Sequence, residues 1–151
     1  LHAGEVFGPE SIHQAIHICG AHRIGHGTRA IEDLDLLNYI NDHRIPLEIC
    51  LTSNINTRSV PSISTHPFKR YIDEKIRVTL NTDNRLISNT NLSKEYEIAI
   101  NNFNLNESEV RTIIINGFKS TFQPHNERRK LIRKIVNELE DEFNFSQHLI
   151  I

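Results

Sequence analysis

His2-Ala3-Gly4-Glu5 places an imidazole and a carboxyl group three positions apart. The first is a good zinc ligand, and the second can move protons. Arg23-Ile24-Gly25-His26-Gly27 sets another histidine between two glycines, which allow close backbone approach to a ligand and leave His26 uncovered at a strand end. Asn81-Thr82-Asp83-Asn84 offers a carboxylate for a metal and an amide that can donate to a ring nitrogen. Taken singly, each motif has a plain structural reading: a turn with a solvated glutamate, a histidine in a tight bend, an Asn/Asp turn. Taken together, they bring His2, Glu5, His26 and Asp83 toward one face, because each follows a short apolar run.

Those runs alternate with amphipathic segments. Pro9 suits the first turn of a helix continued by Ile12, Ala15, Ile16 and Cys19. Ile31, Leu34, Leu37, Tyr39 and Ile40 predict a second helix, and Ile45 to Leu51 reads as a buried strand. A polar loop, Thr52 to Thr65, leads to a short helix near Pro67 to Asp73, then to a strand over Ile76 to Leu80. From Leu92 the pattern is helical, with Tyr96, Ala99, Ile100 and Phe103 on one face. Asn106 and Glu109 have capping-box spacing ahead of Val110, Ile113, Ile114 and Phe118. After Pro124, Leu131, Ile132, Ile135, Val136, Leu139 and Phe143 share a face, and Ser146 to Ile151 carry no clear signal. His13 and His17, four apart, fit a surface or helix-packing role, while His22, His43, His66, His125 and His148 read as loop or helix-end residues.

Strands separated by helices imply parallel βα units. The polar motifs then fall at the strand ends, the face on which βα barrels build active sites. Four strand ends are visible, near His2, His26, Ser53–Asn54 and Asp83. That is half the eight of a closed barrel.

Composition narrows the function. Net charge is −2 over 151 residues, with no basic block, which argues against nucleic acid or an anionic membrane as partner. No apolar run nears the roughly 20 residues that span a bilayer. Two cysteines without a CxxC pair, and no secretory signal, fit a reduced, cytoplasmic protein. No methionine occurs, and the polar motif begins at the second residue, so the chain is expected to be cut from a longer polypeptide.

The ordered set of motifs at 2–5, 23–27, 47–54 (Leu-Glu-Ile-Cys-Leu-Thr-Ser-Asn), 66–68 (His-Pro-Phe) and 81–84 resembles the adenosine deaminase family. The resemblance runs from His2 to about Phe143, and Asn81 to Ser88 resembles the bacterial branch. Many relatives carry two consecutive aspartates where Asp83 and Asn84 stand here, and a proline is common at the position of Leu51. The resemblance implies the carboxyl-terminal half of a zinc-bearing (β/α)8 TIM barrel with extra C-terminal helices: an α/β segment, βα units over 1–90 and helices over 91–145. It implies hydrolysis of adenosine to inosine and ammonia. His2 and Asp83 match zinc ligands. Glu5 matches the group that protonates the purine ring, a role that needs a carboxyl kept protonated by burial. His26 matches the histidine beside the attacking water, where it would either accept from that water or stabilise the new alkoxide. Asn84 matches a substrate contact.

The family takes two further zinc ligands from a His-x-His pair, and this chain contains none. These 151 residues alone are therefore expected neither to hold zinc tightly nor to deaminate adenosine. Exposed strand edges would invite the missing half or a second copy. Rival readings are an adenine or adenosine-phosphate deaminase, a catalytically dead barrel fragment serving as an assembly module, and a breakdown product.

Overall fold

Nine of the eleven strand positions are buried, so the sheet is covered on both faces, as suits parallel pairing. The computed structural model describes residues 1–148, with side chains through residue 142. Its strands are β1 (His2–Ala3), β2 (Ile24–His26), β3 (Leu47–Ile49) and β4 (Val78–Leu80), in the order β1-β2-β3-β4. All three pairings are parallel, with His2 opposite Gly25, Ile24 opposite Leu47 and Leu47 opposite Val78. Each strand leads into helix that returns the chain to the start of the next.

The crossovers are α1 (Pro9–His13), continued by a wider π turn over Gln14–Ile18, then α2 (Leu34–Asp42) after a 3-10 turn at Thr28–Glu32. Next come α3 (Leu51–Asn56), a 3-10 turn at Ile63–Thr65 and α4 (Phe68–Asp73). After β4 follow α5 (Arg85–Ser88), α6 (Leu92–Phe103), α7 (Glu107–Lys119) and α8 (His125–His148). The core runs through Ile12, Ile24, Leu36, Ile40, Leu47, Ile49, Phe68, Tyr71, Val78, Ala99 and Ile113. Tyr71 spans it, donating its hydroxyl to the Gly27 and Thr28 carbonyls and accepting from the Ile31 amide.

Several expectations shift. The strands are shorter than the apolar runs, because each gives way to site-bearing backbone within a residue or two. Thr52 to Asn56 is helix, not loop. Its sequence (Thr, Ser, two Asn) has weak intrinsic helicity, and tertiary contacts hold it. Cys19 and Ile100 are exposed rather than on the packed faces of their helices. The Asn106–Glu109 capping box is present as the spacing implies. The last helix continues past Ser146 to His148; residues 149–151 and the side chain of Phe143 lie outside the described residues. His13 bonds Asp33 and stacks on His17, which packs on Tyr39, the helix-packing role its position suggests.

Candidate active site

The carboxyl ends of the four strands carry the site. Beyond β1 the chain must turn sharply to present Glu5. Gly4 does this at φ +67°, where an alanine Cβ would run into the Ile12 side chain. Gly27, at φ +66°, has the same need: its Cβ would sit 2.8 Å from Leu47 Cδ2. Two residues of the site adopt the left-handed region without being glycine, His26 (φ 67°) and Asp83 (φ 53°). Each such backbone costs on the order of 1 kcal/mol. Strain of this kind persists where surrounding contacts over-determine it, and here those contacts are the site's own hydrogen bonds.

His26 is not uncovered, as its glycine neighbours suggest, but 1% exposed. Its Nε2 lies 3.2 Å from His2 Nδ1 and 3.5 Å from Glu5 Oε2. Its Nδ1 lies 3.0 Å from Asn54 Nδ2. Burial lowers its pKa below the ordinary histidine value; the Glu5 charge opposes this and His2 adds to it. Glu5 is fixed at its other oxygen, Oε1, by Thr57 Oγ1 at 2.8 Å and Asn54 Nδ2 at 3.4 Å. The structure thus brings His2, Glu5 and His26 into one hydrogen-bonded cluster.

Asp83 joins from β4. Its Oδ2 accepts from Ser53 Oγ at 2.8 Å, and its charge is felt at His26. The carboxylate is exposed, as is His2. Asn84 also sits at this rim, but as the N-cap of α5: its Oδ1 accepts from the Leu86 and Ile87 amides, both at 3.1 Å. That leaves Nδ2 outside the cap, the end a purine acceptor would need.

Imidazole and carboxylate are a donor set that suits zinc. Among the described residues no group of three or more His, Cys, Asp or Glu side chains is arranged to hold a metal. A cavity lined by Arg77, Ile113 and Asn116 lies at the opposite end of β4 and includes neither His2 nor Asp83.

Three supporting residues are not evident in the sequence. Asn54 is wholly buried and reaches both Glu5 and His26. His66, which reads as a loop histidine, is 5% exposed with Nε2 at 3.3 Å from Asn54 Oδ1. Glu95, on α6 and 0% exposed, accepts from the Thr52 amide at the start of α3 and from the Thr90 hydroxyl. Asn54 and His66 stand in the motifs at 47–54 and 66–68, which mark the places without showing the contacts; nothing local marks Glu95.

Known proteins resemble this chain in sequence and fold. The sequence profile of the family described as Adenosine deaminase matches residues 1–138. The adenosine deaminase of Clostridium kluyveri is 41% identical over 139 residues, which covers 92% of this chain and 40% of that protein. The N6-methyl-AMP deaminase of Arabidopsis thaliana superposes with a TM-score of 0.80 at 35% identity, covering 94% of this chain and 41% of that one. An amidohydrolase from Burkholderia ambifaria, solved with bound zinc, superposes at 0.87 with 16% identity, covering 95% of this chain and 41% of its own, and shows the fold alone. The chain thus spans about 40% of the length of its curated relatives and corresponds to their carboxyl-terminal part. Its sheet and helices are that half of a (β/α)8 barrel, with added C-terminal helices. By profile and identity together, the chain belongs to the adenosine deaminase family.

Proposed function

We propose that this chain supplies the carboxyl-terminal half of the active centre of a zinc-dependent adenosine deaminase. The observation that carries the reading is the cluster in which His2, Glu5 and His26 meet around buried Asn54, with Asp83 tethered alongside by Ser53. His2 and Asp83 would hold the zinc together with ligands that this chain does not contain. When bound, the ion supplies a water that ionises near neutral pH.

The chain's own residues account for the rest of the reaction. An aromatic amine is a poor leaving group, so the ring must become electrophilic before water adds. Glu5, in its acid form, donates its proton to the ring nitrogen next to the attacked carbon. Thr57 and Asn54 hold the carboxyl in place. His26 hydrogen-bonds the incoming oxygen. Asn84, its oxygen occupied by the α5 cap, offers its amide N–H to a second purine nitrogen. Water adds to the carbon bearing the amino group; one of its protons passes to that amino group as the C–N bond breaks and ammonia leaves. The ring nitrogen keeps the proton from Glu5, and the water's other proton restores the acid form of Glu5.

A nucleotide substrate is the second reading, favoured by the N6-methyl-AMP deaminase likeness at 35% identity. Two unpaired cysteines, Cys19 and buried Cys50 with its thiol pushed up to about 12, accord with cytoplasmic placement. The edges of β1 and β4, unpaired among the described residues, accord with pairing to the segment that completes the barrel.

The test is turnover of adenosine, adenine, AMP and N6-methyl-AMP by the chain alone and by the chain combined with the amino-terminal segment of a relative. The chain alone is expected to be inert and to bind zinc weakly. The combination is expected to prefer adenosine. Turnover by the chain alone would overturn the divided site, and preference for a nucleotide would favour the second reading.

A further inference from the structure

Behind the reacting cluster runs a chain of hydrogen bonds whose direction is set at its far end. The Phe68 backbone N–H can only donate, and it points at His66 Nδ1 at 3.1 Å. That nitrogen must therefore be the bare acceptor. Burial lowers the His66 pKa to about 4, so the ring is neutral near pH 7 and its one proton sits on Nε2. His66 Nε2 faces Asn54 Oδ1 at 3.3 Å, which makes this the oxygen end of the amide. The NH2 end of Asn54 then has two acceptors, His26 Nδ1 at 3.0 Å and Glu5 Oε1 at 3.4 Å, one for each proton. The two ends of the chain agree: a backbone donor at one, a carboxyl oxygen that accepts at the other.

We propose that Asn54 and His66 are positioning residues that fix His26 in the tautomer with its proton on Nε2, so that His26 presents an N–H rather than a lone pair to the reacting oxygen. The geometry excludes the other neutral tautomer, since a proton on Nδ1 would face the NH2 of a side chain that is 0% exposed and held at its oxygen. The consequence for the reaction rests on the deaminase reading given above: His26 donates to the oxygen that adds to the ring and strengthens that bond as negative charge gathers there. Accepting a proton from the incoming water would need the lone pair that Asn54 has already engaged at Nδ1. Glu5 remains the proton donor to the ring.

The tautomers are read from long-range 1H–15N correlations of the 15N-histidine-labelled chain. Both His66 and His26 should show protonated Nε2 and bare Nδ1. Asn54→Asp replaces the donor with a carboxylate that still accepts from His66, and should move the His26 proton to Nδ1. His66→Gln, with an acceptor for Phe68 and a donor for Asn54, should keep the His26 Nε2–H form. A His26 proton on Nδ1 in the unsubstituted chain would overturn the proposal whatever the stability of the variants, as would an unmoved tautomer in folded Asn54→Asp. In the assembled deaminase, Asn54→Asp should lower kcat about 100-fold with KM little changed. Absence of any deaminase activity in the unsubstituted assembly would instead count against the functional reading and leave the tautomer result intact.

Discussion

His66 carries a pH-dependent share of the stability that can be isolated. Burial lowers its pKa to about 4 in the folded chain, against 6.5 when free. Between those values the unfolded chain binds a proton that the folded chain does not. Stability is therefore at its full value above pH 6.5 and declines as pH falls toward 4. From pH 7 to pH 5 the decline attributable to this one group is about 2 kcal/mol. Urea unfolding at both pH values should show it, and His66→Gln should remove that part of the difference; an identical slope in the variant would contradict the assignment. At Asn84, cap and ligand contact are separable. Asn84→Ser keeps a capping oxygen for the Leu86 and Ile87 amides but has no amide donor, whereas Asn84→Leu loses both. In the assembled enzyme both should raise KM for adenosine about ten-fold, the loss of one hydrogen bond. An unchanged KM in Asn84→Ser would remove Asn84 from the purine contacts.

Helix α3 is the element whose position matters most to the site, and the sequence conceals it. It carries both Ser53, which tethers Asp83, and Asn54. Its N-cap, Cys50, makes no side-chain cap. The Thr52 amide is satisfied instead by the carboxylate of Glu95, 43 residues along the chain. Glu95→Ala would leave that amide unpaired and take from the buried Thr90 hydroxyl its shorter bond, at about 2 kcal/mol. It should also loosen Asn54, so that the His26 ring resonances broaden along with the fall in urea midpoint; a lower midpoint with His26 unaltered would confine Glu95 to stability. The strands, by contrast, were legible, because short aliphatic runs punctuated by Gly4, Gly27 and the Asn/Asp turn at 81–84 have few other uses. So were His2, Glu5, His26, Asp83 and Asn84 as strand-end residues. The exposure expected for His26 was wrong because glycine neighbours bare a backbone, while the ring is covered by partners from β1 and α3. The burial and contacts of His66, although it stands in the 66–68 motif, and those of Glu95 were not legible for a related reason: their partners lie 12 and 43 residues away, and local pattern carries no record of such pairings.

At the scale of the molecule, a four-stranded parallel sheet leaves β1 and β4 each with an edge unpaired among the described residues, and the family relatives extend well beyond this chain. On the proposed reading it holds the residues that protonate the purine and hydrogen-bond the incoming oxygen, and part of a zinc site. The site as read is thus divided between this chain and the segment that closes the barrel. The direct test is adenosine deamination, followed by the ultraviolet change from adenosine to inosine, in the chain assembled with that segment and zinc, with and without Glu5→Gln. Turnover is expected in the assembly, falling at least about 100-fold in Glu5→Gln, the share a positioned general acid supplies. Undiminished turnover in Glu5→Gln, or none in a folded, zinc-loaded assembly, would contradict the account.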